Sequence, residues 1–307
     1  MKKLLLLVLI GILLMGCSLP FTITWNNSPT PQVETPVQLP ATATIGVIAT
    51  ESPATAAAPT AAPLNGLELN LGGVYMVLPP CMAANATGTL VPAVPYDENN
   101  GPMEYYPQNR KIAFQGYPLS GGFWDAAGSN KGGITIYPVA DFVAMNQGIA
   151  TIVSNMKTLL ATRPEAPKNI PFLHIVGAAQ VFDSNVKYLD FQNGQGVRFL
   201  TEYAQFSDPV NNHDLFYAYQ GMTSDGKYWV SAILPVNAAY LQADYNSVDV
   251  PAGGIPAPSM DNNPNFSSDM DTYYVTMLDK LNTTPDNSFT PGLDCLDQYI
   301  QSLNISD

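Results

Sequence analysis

Arg198 and Glu202 stand four residues apart in the run Gly196-Val197-Arg198-Phe199-Leu200-Thr201-Glu202. On an extended strand, residues at even spacing point to one face, so this pair shares a face. One reading is a structural ion pair, since a charged pair on a buried sheet face needs partners. The other is a polar spot at the floor of a ligand pocket. Asp183, Asp190, Glu202 and Asp225 fall on or near the same expected strands. Two such carboxylates about 5–10 Å apart could hydrolyse a glycosidic bond. Trp124, in the pair Phe123-Trp124, could stack on a sugar or peptide, as could Tyr105-Tyr106, Tyr117 and Tyr273-Tyr274. Most of these rings are expected in the core.

Other catalytic signatures are weak. The chain has 2 histidines, too few for a histidine-rich zinc site. His174 sits in the apolar run Phe172-Leu173-His174-Ile175-Val176 and reads as a hydrogen-bonded core residue. His213 lies in the polar turn Asn211-Asn212-His213-Asp214 and reads as solvated. A serine with lysine three residues on occurs at Ser154/Lys157 and Ser184/Lys187. On a helix the lysine could activate the serine. Ser184 is expected on a strand, however, and Ser154 mid-helix without the further motifs that chemistry needs. Asp261-Asn262-Asn263 and Asp269-Met270-Asp271 lack the glycine and terminal glutamate of a calcium loop. They read as solvated loop and helix-cap residues. No HExxH, GxSxG or P-loop pattern is present. The residues call for no cofactor and no metal.

Three cysteines remain to be placed. Lys2 and Lys3 precede the apolar run Leu4–Leu14, broken only by Gly11, and Leu14-Met15-Gly16-Cys17 follows. That run is shorter than the roughly 20 residues of a permanent span and reads as a signal peptide, residues 1–16. The four residues ending at Cys17 resemble the lipobox of bacterial lipoproteins, with Met15 departing mildly from it. The resemblance implies lipidation of Cys17 with palmitate-type chains and stable anchoring to a membrane's extracytoplasmic face. Cys81 and Cys295 are then the only thiols left in an exported chain, where disulfides persist. A Cys81–Cys295 disulfide is expected, against the alternative of two buried free cysteines.

The formal net charge is −13. Such acidity argues against nucleic acid, which needs a basic footprint, and against docking on anionic lipid. Residues 17–65 are rich in Pro, Thr and Ala and cannot bury enough apolar surface to offset chain entropy. They read as a disordered linker, and residues 66–307 as one globular domain.

Within that domain, a 3.6-residue period over Asp141–Ala161 predicts a helix, capped by Asp141. A period of two predicts strands at Ala179–Phe191 and Val197–Ala204, joined through Gln192–Gly196. A second hairpin is expected from Leu215–Gln220 and Tyr228–Pro235. Earlier strands are expected at Gly73–Leu78, Ile112–Gly116 and Gly133–Tyr137, and helices at Ser268–Leu281 and Pro291–Leu303. The order implies an α+β fold, with a largely antiparallel twisted sheet packed between helices. It is similar in element order to Mog1/PsbP-like domains, a likeness that carries no function. The stretches Ile136–Val139, Ala178–Phe182, Tyr188–Gly194, Gly196–Thr201 and Gly226–Pro235 resemble an uncharacterised family of bacterial surface lipoproteins with the same lipobox and linker. That resemblance implies location and organisation and assigns no catalytic residue.

These features point to a membrane-anchored, extracytoplasmic lipoprotein. Its domain reads as a non-catalytic binding or structural envelope module with a protein or small-molecule ligand. Arg198, Glu202 and Trp124 are the candidate binding residues. The alternative is a carboxylate-based hydrolase acting on an envelope or extracellular polymer.

Overall fold

The computed structural model describes residues 65–97, 105–119 and 133–307. The expected signal peptide, Cys17, the expected linker up to residue 64 and Trp124 lie outside the described residues.

The chain runs β1 (Leu67–Asn70), β2 (Val74–Leu78), β3 (Asn85–Val91), β4 (Asn109–Gln115) and β5 (Gly133–Pro138) into α1 (Val139–Met145) and α2 (Gln147–Thr162). It continues through β6 (Ala179–Gln180), β7 (Ser184–Phe191), β8 (Gly194–Thr201), β9 (Tyr203–Ala204), β10 (Phe216–Thr223), β11 (Tyr228–Pro235) and β12 (Asn237–Ala238). It ends with α3 (Phe266–Thr283), β13 (Phe289–Thr290), α4 (Leu293–Ser302) and β14 (Asn304–Ile305).

The fold is α+β, built on a seven-stranded antiparallel sheet in the order β3-β4-β5-β11-β10-β8-β7. Strand β10 explains why the sheet is covered on both faces. Every one of its residues is buried, and a strand apolar on both sides belongs mid-sheet between two layers. Phe216, Ala218 and Met222 face one core, with Val197, Phe199 and Trp229 from neighbouring strands and Phe142, Ile149, Val153 and Met156 from α1 and α2. Tyr217 and Tyr219 face the other, with Met270, Met277 and Leu281 of α3, Leu296 and Ile300 of α4, and Met76 and Leu78 of β2. The small sheet β1-β2-β14 adds to that second layer.

Several local structures depart from the sequence expectation. The helix expected over Asp141–Ala161 is two helices, broken at Asn146, which is extended at φ −154° and ψ 129°. Its side chain accepts a hydrogen bond from Gly148 N at 2.7 Å, satisfying a free donor of the second helix. Asn146 is therefore the cap that counts, and Asp141 lies within the first turn of α1. The strand expected over Ala179–Phe191 is interrupted after Gln180, and the β7–β8 ladder carries a bulge between Ser184 and Lys187, where Asn185 has φ 50°. The turn expected over Gln192–Gly196 closes sooner, because Phe191 already pairs with Gly194. Gly194 and Gly196 are strand residues, and Gly196 pairs with Gly221 across β10. A Cβ on Gly196 would lie 2.4 Å from the Tyr219 hydroxyl, so glycine is required by packing. Strands β1 and β3 were not anticipated: both are mostly exposed, so neither carries an apolar alternation.

Cys81, just after β2, and Cys295, in α4, form a disulfide with Cα atoms 6.3 Å apart. It joins the start of the described fold to its last helix.

Candidate functional site

Arg198 and Glu202 share a sheet face but do not pair with each other. Arg198 is buried beneath α4 and the turn before it. Its Nη2 donates to Asp286 Oδ2 at 2.8 Å, and its Nε lies 3.3 Å from Asp297 Oδ1. Asp297 is buried as well, and its carboxylate also accepts from the Tyr217 hydroxyl at 3.0 Å and from Lys187 Nζ at 2.8 Å. Two acids and two bases meet here, so the charge is balanced, although Nε and Nη1 of Arg198 make no hydrogen bond among the described residues. Arg198 is a structural ion pair, as one of the two sequence readings holds, but with the wrong partner named: Asp286 and Asp297 arrive from more than eighty residues downstream. Four-residue spacing along an 8-residue strand leaves Arg198 and Glu202 about 13 Å apart, too far for direct contact.

Glu202 lies between β8 and β9 and is 1 % exposed. Neither carboxyl oxygen has a hydrogen-bond partner among the described residues. Burial pushes this carboxyl well above the usual range, and the charges of Asp208 and Asp214 push it further. The Asn211 amide opposes the rise without reaching hydrogen-bond geometry. Asp208, also buried, is pushed up to about 6 by burial first and by Asp214 second. Asp214 accepts from Asn211 Nδ2 at 3.0 Å and faces His213 Nδ1 at 2.7 Å. These carboxyls sit at one end of the sheet. Helix α3 clamps the segment that carries them: Val210 N donates to the Tyr273 hydroxyl at 3.0 Å, and the Tyr274 hydroxyl donates to Asp208 O at 2.8 Å.

The same segment pairs with the loop after β12. Asn211 bridges to Gln242 in parallel, and Asn212 N donates to Gln242 O at 2.9 Å. This brings Phe206 and Tyr245 together edge to face, with ring centroids 5.8 Å apart. Both are exposed, Phe206 at 60 % and Tyr245 at 45 %, and Val248 and Val250 extend the apolar surface along the second loop. Large side chains held open on two braced loops, rather than folded into a core, make this the candidate binding surface among the described residues.

The other candidates are dispersed. Asp183 lies near Glu202, because Phe182 O accepts from the Thr201 hydroxyl. Asp190 is opposite Gln195, near the far end of the ladder, and Asp225 sits in the β10–β11 turn, accepting from Thr223 Oγ1 at 2.6 Å. Asp183 and Asp190 are separated by roughly 20 Å of strand, beyond the reach of a hydrolytic pair. Ser154 and Lys157 both face solvent on α2, and Ser184 is buried at the start of β7. His174 is half-buried, and its desolvation together with the Lys111 charge lowers it to about 4. Asn263 Nδ2 donates to Asp269 Oδ2 at 3.1 Å. Among the described residues no three His, Cys, Asp or Glu side chains could hold a metal ion.

The sequence reading missed Phe206, Tyr245, Asp208 and Asp214. One signal was available: between Arg198 and Lys227, and again between Lys227 and Lys280, there is no lysine or arginine.

Comparison with known proteins gives no match: no family model, curated protein or solved structure corresponds to this chain.

Proposed function

We propose that this chain is a lipid-anchored extracytoplasmic lipoprotein whose domain is a non-catalytic binding module, engaging its ligand through the loops at 205–214 and 240–250. The lipobox-like Leu14-Met15-Gly16-Cys17 supports the anchor. The exposed Phe206–Tyr245 pair carries the binding role. An exposed ring pair on two cross-braced loops provides contact area with little ordering left to complete on binding.

The raised carboxyls of Glu202 and Asp208 are the observation that favours the hydrolase alternative. Burial opposes it, since an acid 1 % exposed cannot reach a polymer without loop opening. The test is calorimetric titration of the full-length protein with soluble glycans and peptides, beside an assay for polymer cleavage. Binding lost in the Phe206→Ala/Tyr245→Ala variant supports the module. Cleavage abolished by Glu202→Gln would establish the hydrolase instead.

A further inference from the structure

The charge around the Phe206–Tyr245 face narrows its partner. From Phe199 to Gly226 the chain carries Glu202, Asp208, Asp214 and Asp225 and no lysine or arginine; from Tyr228 to Asp279 it carries six aspartates and again no lysine or arginine. Both aromatic loops come from these two segments. Asp244 adjoins Tyr245 in sequence, Asp249 lies between the exposed Val248 and Val250, and Asp208 follows Phe206 by two positions. None of these three aspartates has an ion-pair partner among the described residues. Arg163, Lys187, Arg198 and Lys227 are engaged with acids elsewhere, and Lys280 lies over the Tyr240 ring, 4.6 Å from its centroid, at the start of the second loop. Burial first, and the charge of Asp214 second, raise Asp208 to about 6.

We infer that the Phe206–Tyr245 face docks a basic segment of another protein, one in which lysine or arginine flanks an apolar side chain. The inference rests on the binding-module reading and specifies its ligand. The apolar side chain covers the two rings. The flanking cations take the exposed Asp249 and the half-buried Asp244, and the ring faces attract them too. Anionic lipid and nucleic acid would be repelled by the same aspartates. A neutral glycan could stack on the rings but would leave the charge unused.

The test is fluorescence anisotropy with full-length protein in zwitterionic detergent. The probes are a labelled dodecapeptide alternating Lys and Leu, its Glu–Leu counterpart and labelled chitohexaose. The Lys–Leu peptide should bind at least tenfold tighter than the Glu–Leu peptide. Its affinity should fall at least tenfold in Phe206→Ser/Tyr245→Ser and severalfold in Asp244→Asn/Asp249→Asn, both at unchanged melting temperature. Raising salt from 50 to 500 mM should weaken it severalfold, because screening shortens the reach of exposed charges. Equal binding of the two peptides would overturn the inference, as would undiminished Lys–Leu binding in the aromatic variant, which would mean adhesion by charge alone. Chitohexaose binding that depends on the rings, with no Lys–Leu binding, would refute the basic partner and leave the binding module standing. Binding of neither probe to the face would count against both.

Discussion

Replacing Glu202 with Gln should stabilise the protein at neutral and alkaline pH. The carboxyl is buried, both oxygens lack hydrogen bonds, and Asp208 and Asp214 add repulsion. Its folded-state pKa is therefore raised above the value of about 4.3 for an unperturbed glutamate. Below that unfolded value both states are protonated and the folded state has no penalty. As pH rises through it, the unfolded chain releases the proton while the folded chain keeps it, so stability falls until the folded group also ionises. Gln keeps the shape and removes the ionisation. It leaves a neutral amide as poorly bonded as the acid was, so the expected gain is the linkage contribution alone. That contribution is about 1.4 kcal/mol for each unit by which the folded-state pKa exceeds the unfolded one. A gain of about 1–3 kcal/mol at pH 8 corresponds to a rise of roughly 2–12 °C in melting temperature for a domain of this size. The assay is thermal unfolding of wild type and variant from pH 4 to 8.5. The two curves should converge near pH 4 and separate as pH climbs. Taking the difference removes the contribution of acids shifted the other way, such as Asp225 and Asp307. A variant less stable than wild type by the same margin at every pH would refute the reasoning, because it would mean Glu202 acts through packing or an unseen bond.

Breaking the Cys81–Cys295 disulfide with a double serine variant should cost up to about 5 kcal/mol in the chain-entropy model, read by denaturant unfolding; alkylation of the denatured, unreduced domain should find neither cysteine free. Arg198→Met should cost up to roughly 3–5 kcal/mol by leaving Asp286 without its partner and the buried Asp297 with Lys187 alone, and adding Asp297→Leu should recover part of the loss in the same unfolding assay. Gly196→Ala should destabilise by about 1–3 kcal/mol, because its methyl would meet the Tyr219 ring, and Tyr219→Leu should relieve it. Cys17→Ser should move the protein from membrane to soluble fractions or leave it uncleaved; unchanged fractionation and migration would defeat the lipoprotein reading.

What could be read from sequence was what local pattern controls. The β10–β11 hairpin, the two-faced burial of β10 and both C-terminal helices follow from periodicity and turn residues, and the disulfide from counting cysteines. The break at Asn146 was harder, since the apolar period runs through it and only the side chain's bond to Gly148 N decides the outcome. Gly194 and Gly196 looked like turn residues because glycine usually marks turns; the reason for them lies on other strands, in Phe191 and Tyr219. Arg198 was singled out as half of a pair with Glu202, yet its partners Asp286 and Asp297 come from the far end of the chain, beyond any strand-spacing argument. The candidate face was the least visible part. Phe206 and Tyr245 meet only because Asn211 and Asn212 pair with Gln242, a contact between loops with no periodic signature.

Hydrogen–deuterium exchange on the full-length protein, with and without a bound ligand, tests the central claim most directly. The account predicts that protection gained on binding concentrates in residues 205–214 and 240–250 and disappears in the Phe206→Ala/Tyr245→Ala variant. Protection confined to another surface, such as the β3–β4 edge, with those two loops unchanged, would contradict it.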